Sequence, residues 1–375
     1  MALYIGLMSG TSLDGVDGVL ASIPDDYHGG HLEILGDAHV PFDIPFRKQL
    51  MQLQGMDVNE IEREALAANA LAEKYAENVN KLISNADLSP QDVKAVGVHG
   101  QTIRHRPELG FTRQTNNPAL LAELTGVDVV ADFRSRDIAA GGQGAPLVPA
   151  FHQAVFGSEK TTRAVVNIGG IANISILRPD GSATGFDTGP GNMLMDAFIQ
   201  QELRQPYDRD GEWARSGNAI EPLLNSMLDE PFFAKTPPKS TGRDLFHLGW
   251  LKRHLYQTDI DTTMAGEHIE ATLLALTATT IADAILTYAP DTDQVYLCGG
   301  GALNGYLTST IRLLLQVEKP SITLDSCKVL GIDPMQVESL AFAWLAHRFT
   351  IRKPGNLPAV TGAKGPRILG ALYPA

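Results

Sequence analysis

The chain has 375 residues, 44% of them hydrophobic and 19% charged, and a formal net charge of −13. That length exceeds the usual single core and points to two domains. The negative balance argues against a nucleic-acid binder, which needs a basic face for phosphates, but leaves open a bound nucleotide, because backbone N–H groups hold phosphates without net positive charge.

The N-terminus reads as a three-strand meander. Apolar runs at Leu3–Met8, Val16–Ile23 and Leu32–Val40 are separated by Gly/Asp-rich turns. The first Lys or Arg is Arg47, so the start lacks the basic segment of a signal peptide. A long helix is expected from about Val58 to Asn85, where Ile61, Ala65, Ala68, Ala72, Tyr75, Val79 and Leu82 share one face. Asp57 followed by Glu60 resembles a capping box at its start. A buried strand, Val93–Val98, leads into "HGQT". A short helix at Asn117–Leu124 and a strand at Val127–Ala131 follow, which completes a βββαβαβ order.

The pattern then restarts. Ala164–Ile168 and Ile171–Leu177 form paired strands around "GGIAN", and a third strand ends in "GFDTGPGN". Helices are expected at Met193–Leu203, Ile220–Leu228 and Ile269–Tyr288. The last of these is broken by Glu270 and Asp283, so no apolar run of about 18 residues offers a transmembrane helix. Strand Gln294–Leu297 runs into "CGGG". Helix Gly305–Gln316, strand Ile322–Leu324 and helix Pro334–Phe349 complete the second set. The two halves match in order of elements rather than in sequence. The segment from Asp208 to Arg243 fits neither half and reads as an insertion. Cys298 and Cys327 are too few for a disulfide framework or an all-cysteine zinc site, and suit a reducing cytoplasm.

The chemistry concentrates in the glycine-bearing turns. "MSGTSLDGVD" places Gly10, Ser12 and Gly15 where several backbone N–H groups can converge on an anion, because glycine removes the Cβ that would hold a ligand away. Asp14 and Asp17 suit a hydrated Mg²⁺. The turn is neither a Walker A loop, which needs a Lys, nor a G-x-G-x-x-G fingerprint. A plain tight hairpin is the competing reading. Gly169–Gly170 and Gly299–Gly301 are two further loops at strand ends, and the three together favour a nucleotide site. Asp187, among Thr188, Gly189, Gly191 and Asn192, reads either as a general base or as a helix cap; the cap would have to sit closer to the helix. His99, Gln101, Asp132, Arg134 and Arg136 follow two successive strands and suit a polyhydroxylated ligand, against the simpler reading of solvated loop charges. Glu338 sits in an apolar helix, as a buried functional carboxylate or as part of a solvated face.

"GLMSGTSLDGVD", "HGQT", "DFRSRDIAAGGQGAPLVPAFH", "NIGGIAN", "FDTGPGN" and "CGGGALN" together resemble the anhydro-N-acetylmuramic acid kinases of bacteria, over essentially the whole chain. The resemblance implies two RNase H-like domains facing across an ATP cleft, residues 1–132 completed by 352–375 and residues 133–351, with a helical insertion near 205–245. It implies a cytoplasmic enzyme, with no membrane or nucleic-acid partner and with a homodimer allowed. Its reaction opens the 1,6-anhydro bridge with water and phosphorylates O6 from ATP, with Mg²⁺. The family's ATP loop falls on Gly10, Thr11, Ser12, Leu13, Asp14, Gly15, Val16 and Asp17. Gly169, Gly170, Gly299, Gly300, Gly301 and Asn304 are expected on the nucleotide, and Asp14 on the metal. Asp187 is the expected catalytic aspartate, with Glu338 as a second catalytic carboxylate. His99, Gln101, Asp132 and Arg134 are expected around the sugar. Two rivals stay open: a hexose or amino-sugar kinase of the same fold, and a nucleotide-gated interaction protein related to actin or Hsp70.

Overall fold

A computed structural model describes residues 1–10, 12–25, 32–260 and 266–375. The chain divides into two compact units, Met1–Val155 with Gln336–Ala375, and Phe156–Met335.

The first unit is built on the strands β1 (Ala2–Met8), β2 (Gly15–Ile23), β3 (Glu33–Pro41), β4 (Val93–Val98) and β7 (Val129–Ala131). They lie in the order β7-β4-β1-β2-β3, and an edge strand, Ala371–Tyr373, pairs antiparallel with β7. The meander pairs antiparallel, whereas β1–β4 and β4–β7 are parallel. A hairpin of β5 (Gln101–Arg106) and β6 (Phe111–Thr115), not anticipated from the sequence, extends the "HGQT" segment. The long helix runs Glu60–Asn85 and buries Leu71, Ala72, Tyr75 and Val79 in the core. The expected capping box is only half formed. Glu60 accepts from the Asp57 N–H at 2.6 Å, but Asn59, in the left-handed region, is the N-cap. An extra helix, Ile44–Gln52, precedes it; Asp43 caps it by accepting from Phe46 N.

The second unit repeats the plan. β8 (Arg163–Ile168), β9 (Ile171–Leu177), β10 (Ala183–Pro190), β11 (Gln294–Cys298) and β12 (Thr323–Ser326) lie in the order β12-β11-β8-β9-β10. Their directions match strand for strand those of the first unit. The βββαβαβ order therefore holds in both units, and the restart in the sequence is a repeat of topology. Between β10 and β11 lie helices Met193–Leu203, Glu212–Ser216, Glu221–Leu228, Leu248–Gln257 and Gly266–Tyr288. By length and composition Gly266–Tyr288 is apolar enough to cross a membrane, even with Glu270 and Asp283 within it. Here 78% of its apolar window is buried, and it serves as the core helix of this unit.

The division differs from the expected boundaries at 132 and 351 for a packing reason. Asp137, fully buried in the short helix Ser135–Ala139, accepts from Asn356 Nδ2 (2.6 Å), Thr361 Oγ1 (2.8 Å) and Gly144 N (2.8 Å), which ties the segment after β7 to the C-terminal segment. The helix Val337–Thr350 packs directly on strand glycines of the first unit. A Cβ on Gly6 would lie 1.8 Å from Ser339 O, and one on Gly97 would lie 2.1 Å from Phe342 O.

Candidate active site

Parallel pairing of β1 with β4 brings their carboxyl ends to one edge of the first sheet, where ligands bind in open α/β sheets. The turn after β1 and the "HG" after β4 meet there: His99 N donates to Leu7 O (3.1 Å), and Gln101 Nε2 donates to Gly10 O (3.2 Å). Gly10, Ser12, Leu13, Asp14, Gly15, Val16 and Asp17 form or flank this turn; Thr11 lies outside the described residues. Leu13 is buried with φ +57° and anchors the turn to the core. The Ser12 hydroxyl donates to Asp14 Oδ1 at 2.6 Å. A Cβ on Gly10 would meet nothing nearer than Ser12 Oγ at 3.7 Å among the described residues, an ordinary contact. Gly15 is glycine for another reason. A Cβ there would lie 2.5 Å from Val40 O and 2.6 Å from the His39 ring.

His39 was not singled out from the sequence. It stands opposite Asp17 in the β2–β3 register, with Nδ1 2.7 Å from Asp17 Oδ1. Burial raises the Asp17 carboxyl above its usual range, and the His39 hydrogen bond opposes that rise. The helix carrying Glu338 is tied to the same strand, because Ser339 Oγ donates to Asp17 O (3.1 Å).

The sugar-suited residues gather beside this turn. Arg134 Nε donates to His99 Nε2 (3.0 Å), and Arg134 Nη1 donates to Gly144 O (2.7 Å). Burial first, and the Arg134 charge second, push His99 well below its ordinary value. It is therefore a neutral imidazole whose Nε2 accepts. Asp132 sits at φ +58° and accepts from the Ser135 hydroxyl (2.6 Å). Gln101 is 1% exposed, yet its Oε1 has no partner among the described residues. Both amide atoms of Asn116, one residue past the Gln101–Thr115 pair, are likewise buried and unpartnered. A buried polar atom left this way costs about 1–3 kcal/mol, and a hydroxyl-rich ligand would satisfy it. Asn116 was missed because "TNNP" reads only as a turn and helix start.

In the second unit the three glycine-bearing loops converge at the matching edge of the second sheet. Asn192 N donates to Gly169 O (2.8 Å) and Gly191 N to Gly170 O (2.9 Å). A Cβ on Gly191 would lie 2.2 Å from Gly169 O, and one on Gly299 2.4 Å from Asn167 Oδ1. Gly300 opens the short turn Gly300–Leu303, and Gly301 packs on Ile168. Asn304 has a structural duty, as its Oδ1 caps helix Gly305–Glu318 by accepting from Leu307 N (3.0 Å).

Asp187 caps no helix: the N-cap of Met193–Leu203 is Asn192. It lies in β10 at a register break opposite Asn173. Its N–H donates to Lys239 O (3.1 Å), and its Oδ2 accepts from Thr241 N (2.9 Å). Lys239 is itself pinned, with Nζ donating to Phe233 O (3.0 Å) and lying over the Phe232 ring. The segment read as an insertion therefore supplies the support of the candidate base. No local pattern in the sequence signals this contact across 54 residues.

The family profile described as anhydro-N-acetylmuramic acid kinase matches residues 2–375. An anhydro-N-acetylmuramic acid kinase of Burkholderia pseudomallei (strain 1710b) is 52% identical over 383 residues, covering 99% of this chain and 97% of that one. One of Burkholderia orbicola (strain AU 1054) is 53% identical over 374 residues, covering 99% and 96%. Among solved structures, the activator of the 2-hydroxyisocaproyl-CoA dehydratase from Clostridium difficile is similar at 12% identity and a TM-score of 0.48, covering 93% of this chain and 96% of that one.

Proposed function

The chain belongs to the anhydro-N-acetylmuramic acid kinase family, and on that premise we propose that it opens the 1,6-anhydro ring of 1,6-anhydro-N-acetylmuramic acid with water and phosphorylates O6 from ATP. The product is N-acetylmuramic acid 6-phosphate, an intermediate of cell-wall recycling and amino-sugar catabolism in the cytoplasm. The observation that carries the reading is Asp187: a carboxylate in a glycine-rich strand end, free of capping duty and oriented by a backbone N–H.

Asp187 takes a proton from water attacking C1. The C1–O6 bond breaks, and the released O6 attacks the γ-phosphorus. The ring's own strained bond thus supplies the phosphoryl acceptor, and positioning does much of the rest. Gly10 to Asp17, Gly169, Gly170 and Gly299 to Gly301 are the residues assigned to the nucleotide, with Asn304 beside them. His99, Gln101, Asp132 and Arg134 hold the sugar, and Glu338 completes the catalytic set. The described residues hold no cluster of three or more His, Cys, Asp or Glu suited to a metal. Mg²⁺ binds through one or two carboxylates, here Asp14, and otherwise through water and phosphate oxygens. The ion would supply charge neutralisation to the transferring phosphoryl group.

The test is ADP release from ATP and Mg²⁺ with the anhydro sugar, set against free hexoses. Turnover with the anhydro sugar is expected. Turnover with hexoses alone would overturn the reading.

A further inference from the structure

Thr241 carries an unusual pair of features on one residue. Its N–H donates to Asp187 Oδ2 at 2.9 Å. Its hydroxyl Oγ1 is buried and has no hydrogen-bond partner among the described residues. Burying a hydroxyl unpaired is unfavourable, and a valine of the same shape would avoid the loss. The hydroxyl does not float. Asp187 N–H on Lys239 O and Thr241 N–H on Asp187 Oδ2 fix the backbone on both sides of Ser240. Lys239 Nζ on Phe233 O, with Phe232 beneath it, holds the segment down. Phe233 in turn packs against Gly189, where a Cβ would lie 2.8 Å from its ring and where φ is +153°. The unpaired hydroxyl is therefore held within a few ångströms of the carboxylate that its own N–H orients.

A buried water needs two to four polar partners to be held. We propose that Thr241 Oγ1 is the second anchor of the water that Asp187 activates. The carboxylate accepts one water proton while the hydroxyl fixes the water oxygen, so that its lone pair faces C1. As the O–C1 bond forms, the proton passes to Asp187, C1–O6 breaks, O6 bonds to the γ-phosphorus, and the bond from that phosphorus to the departing ADP oxygen breaks. Thr241 neither gains nor loses a proton overall; it orients the nucleophile. This inference rests on the reading of Asp187 as the base.

The test compares Thr241→Val, Thr241→Ser and Asp187→Asn with the wild-type chain, using ATP, Mg²⁺ and 1,6-anhydro-N-acetylmuramic acid. Thr241→Val keeps the backbone N–H and the side-chain shape. It is expected to lower kcat about tenfold or more, with KM for ATP and for the sugar within about twofold and with Tm unchanged or raised. Thr241→Ser should restore kcat. A merely structural threonine predicts the opposite linkage, with activity following stability. Thr241→Val retaining kcat within about twofold, or raising only the KM for the sugar, overturns the proposal. Thr241→Ala is read in the same way if the valine variant fails to fold. The two levels fail separately: an active Thr241→Val beside a dead Asp187→Asn sinks only the water anchor, whereas an active Asp187→Asn removes the base itself.

Discussion

At Asp187 an amide in place of the carboxylate keeps the shape and can still accept from Thr241 N–H, but cannot take a proton from water. Asp187→Asn is expected to bind ATP normally and to lose about 10²–10⁴-fold in kcat, read by steady-state rates beside direct ATP titration. Near wild-type kcat would remove the assignment. The two loop glycines separate in an informative way. A Cβ on Gly10 makes only ordinary contact, with Ser12 Oγ at 3.7 Å, so Gly10→Val should fold as the wild type does while its KM for ATP rises and its KM for the sugar stays put. Unchanged nucleotide affinity in a folded Gly10→Val would show that the phosphates lie elsewhere. Gly15→Val is a poorer probe, because it collides with Val40 O and the His39 ring before any ligand arrives.

Among the elements, the helix Val337–Thr350 matters most, because it carries Glu338, is tied to β2 through Ser339 and rests on two glycines. Gly6→Ala places a Cβ against Ser339 O and Ala343 N. It is expected to cost about 3 kcal/mol, the upper part of the usual overpacking range, seen as a lower urea midpoint at constant m. A midpoint equal to the wild type would mean that the helix is free to move off the sheet. Both three-strand meanders and most helices were legible in the sequence, because apolar runs and one-faced helical spacing are local signals. The β5–β6 hairpin was not: Ile103 is the sole aliphatic residue in "QTIRHR", so no alternation announces a strand. Within the candidate site, the glycine turns and Asp187 stood out as candidates from their company of small residues. His39 and Thr241 did not, since the contacts that place them come from strand register or from a residue distant in sequence.

Over the whole molecule, the repeated strand order and directions mean that two units of unlike sequence each present a glycine turn and a parallel strand end at the same sheet edge. One buried group sets a pH dependence of stability unrelated to catalysis. Glu270 is fully buried in helix Gly266–Tyr288 with neither oxygen partnered among the described residues. Burial first, and Asp208 and Asp196 after it, push its carboxyl from 4.5 up to about 9. The folded chain thus keeps a proton that the unfolded chain releases near 4.5. Its contribution is complete below that pH and is lost as pH rises towards 9. Glu270→Gln removes the titration and should raise stability by about 2 kcal/mol at pH 7, with the gap between the Tm curves widening from pH 5 to pH 8. Parallel curves would contradict it. One molecule of water and one of ATP are expected to act in a single coupled turnover, which mass spectrometry of products formed in ¹⁸O water checks most directly. The product is expected to carry ¹⁸O at the anomeric hydroxyl and an unlabelled oxygen between C6 and phosphorus, with no ring opening when ATP is withheld. Free N-acetylmuramic acid accumulating from the anhydro sugar without ATP would contradict it.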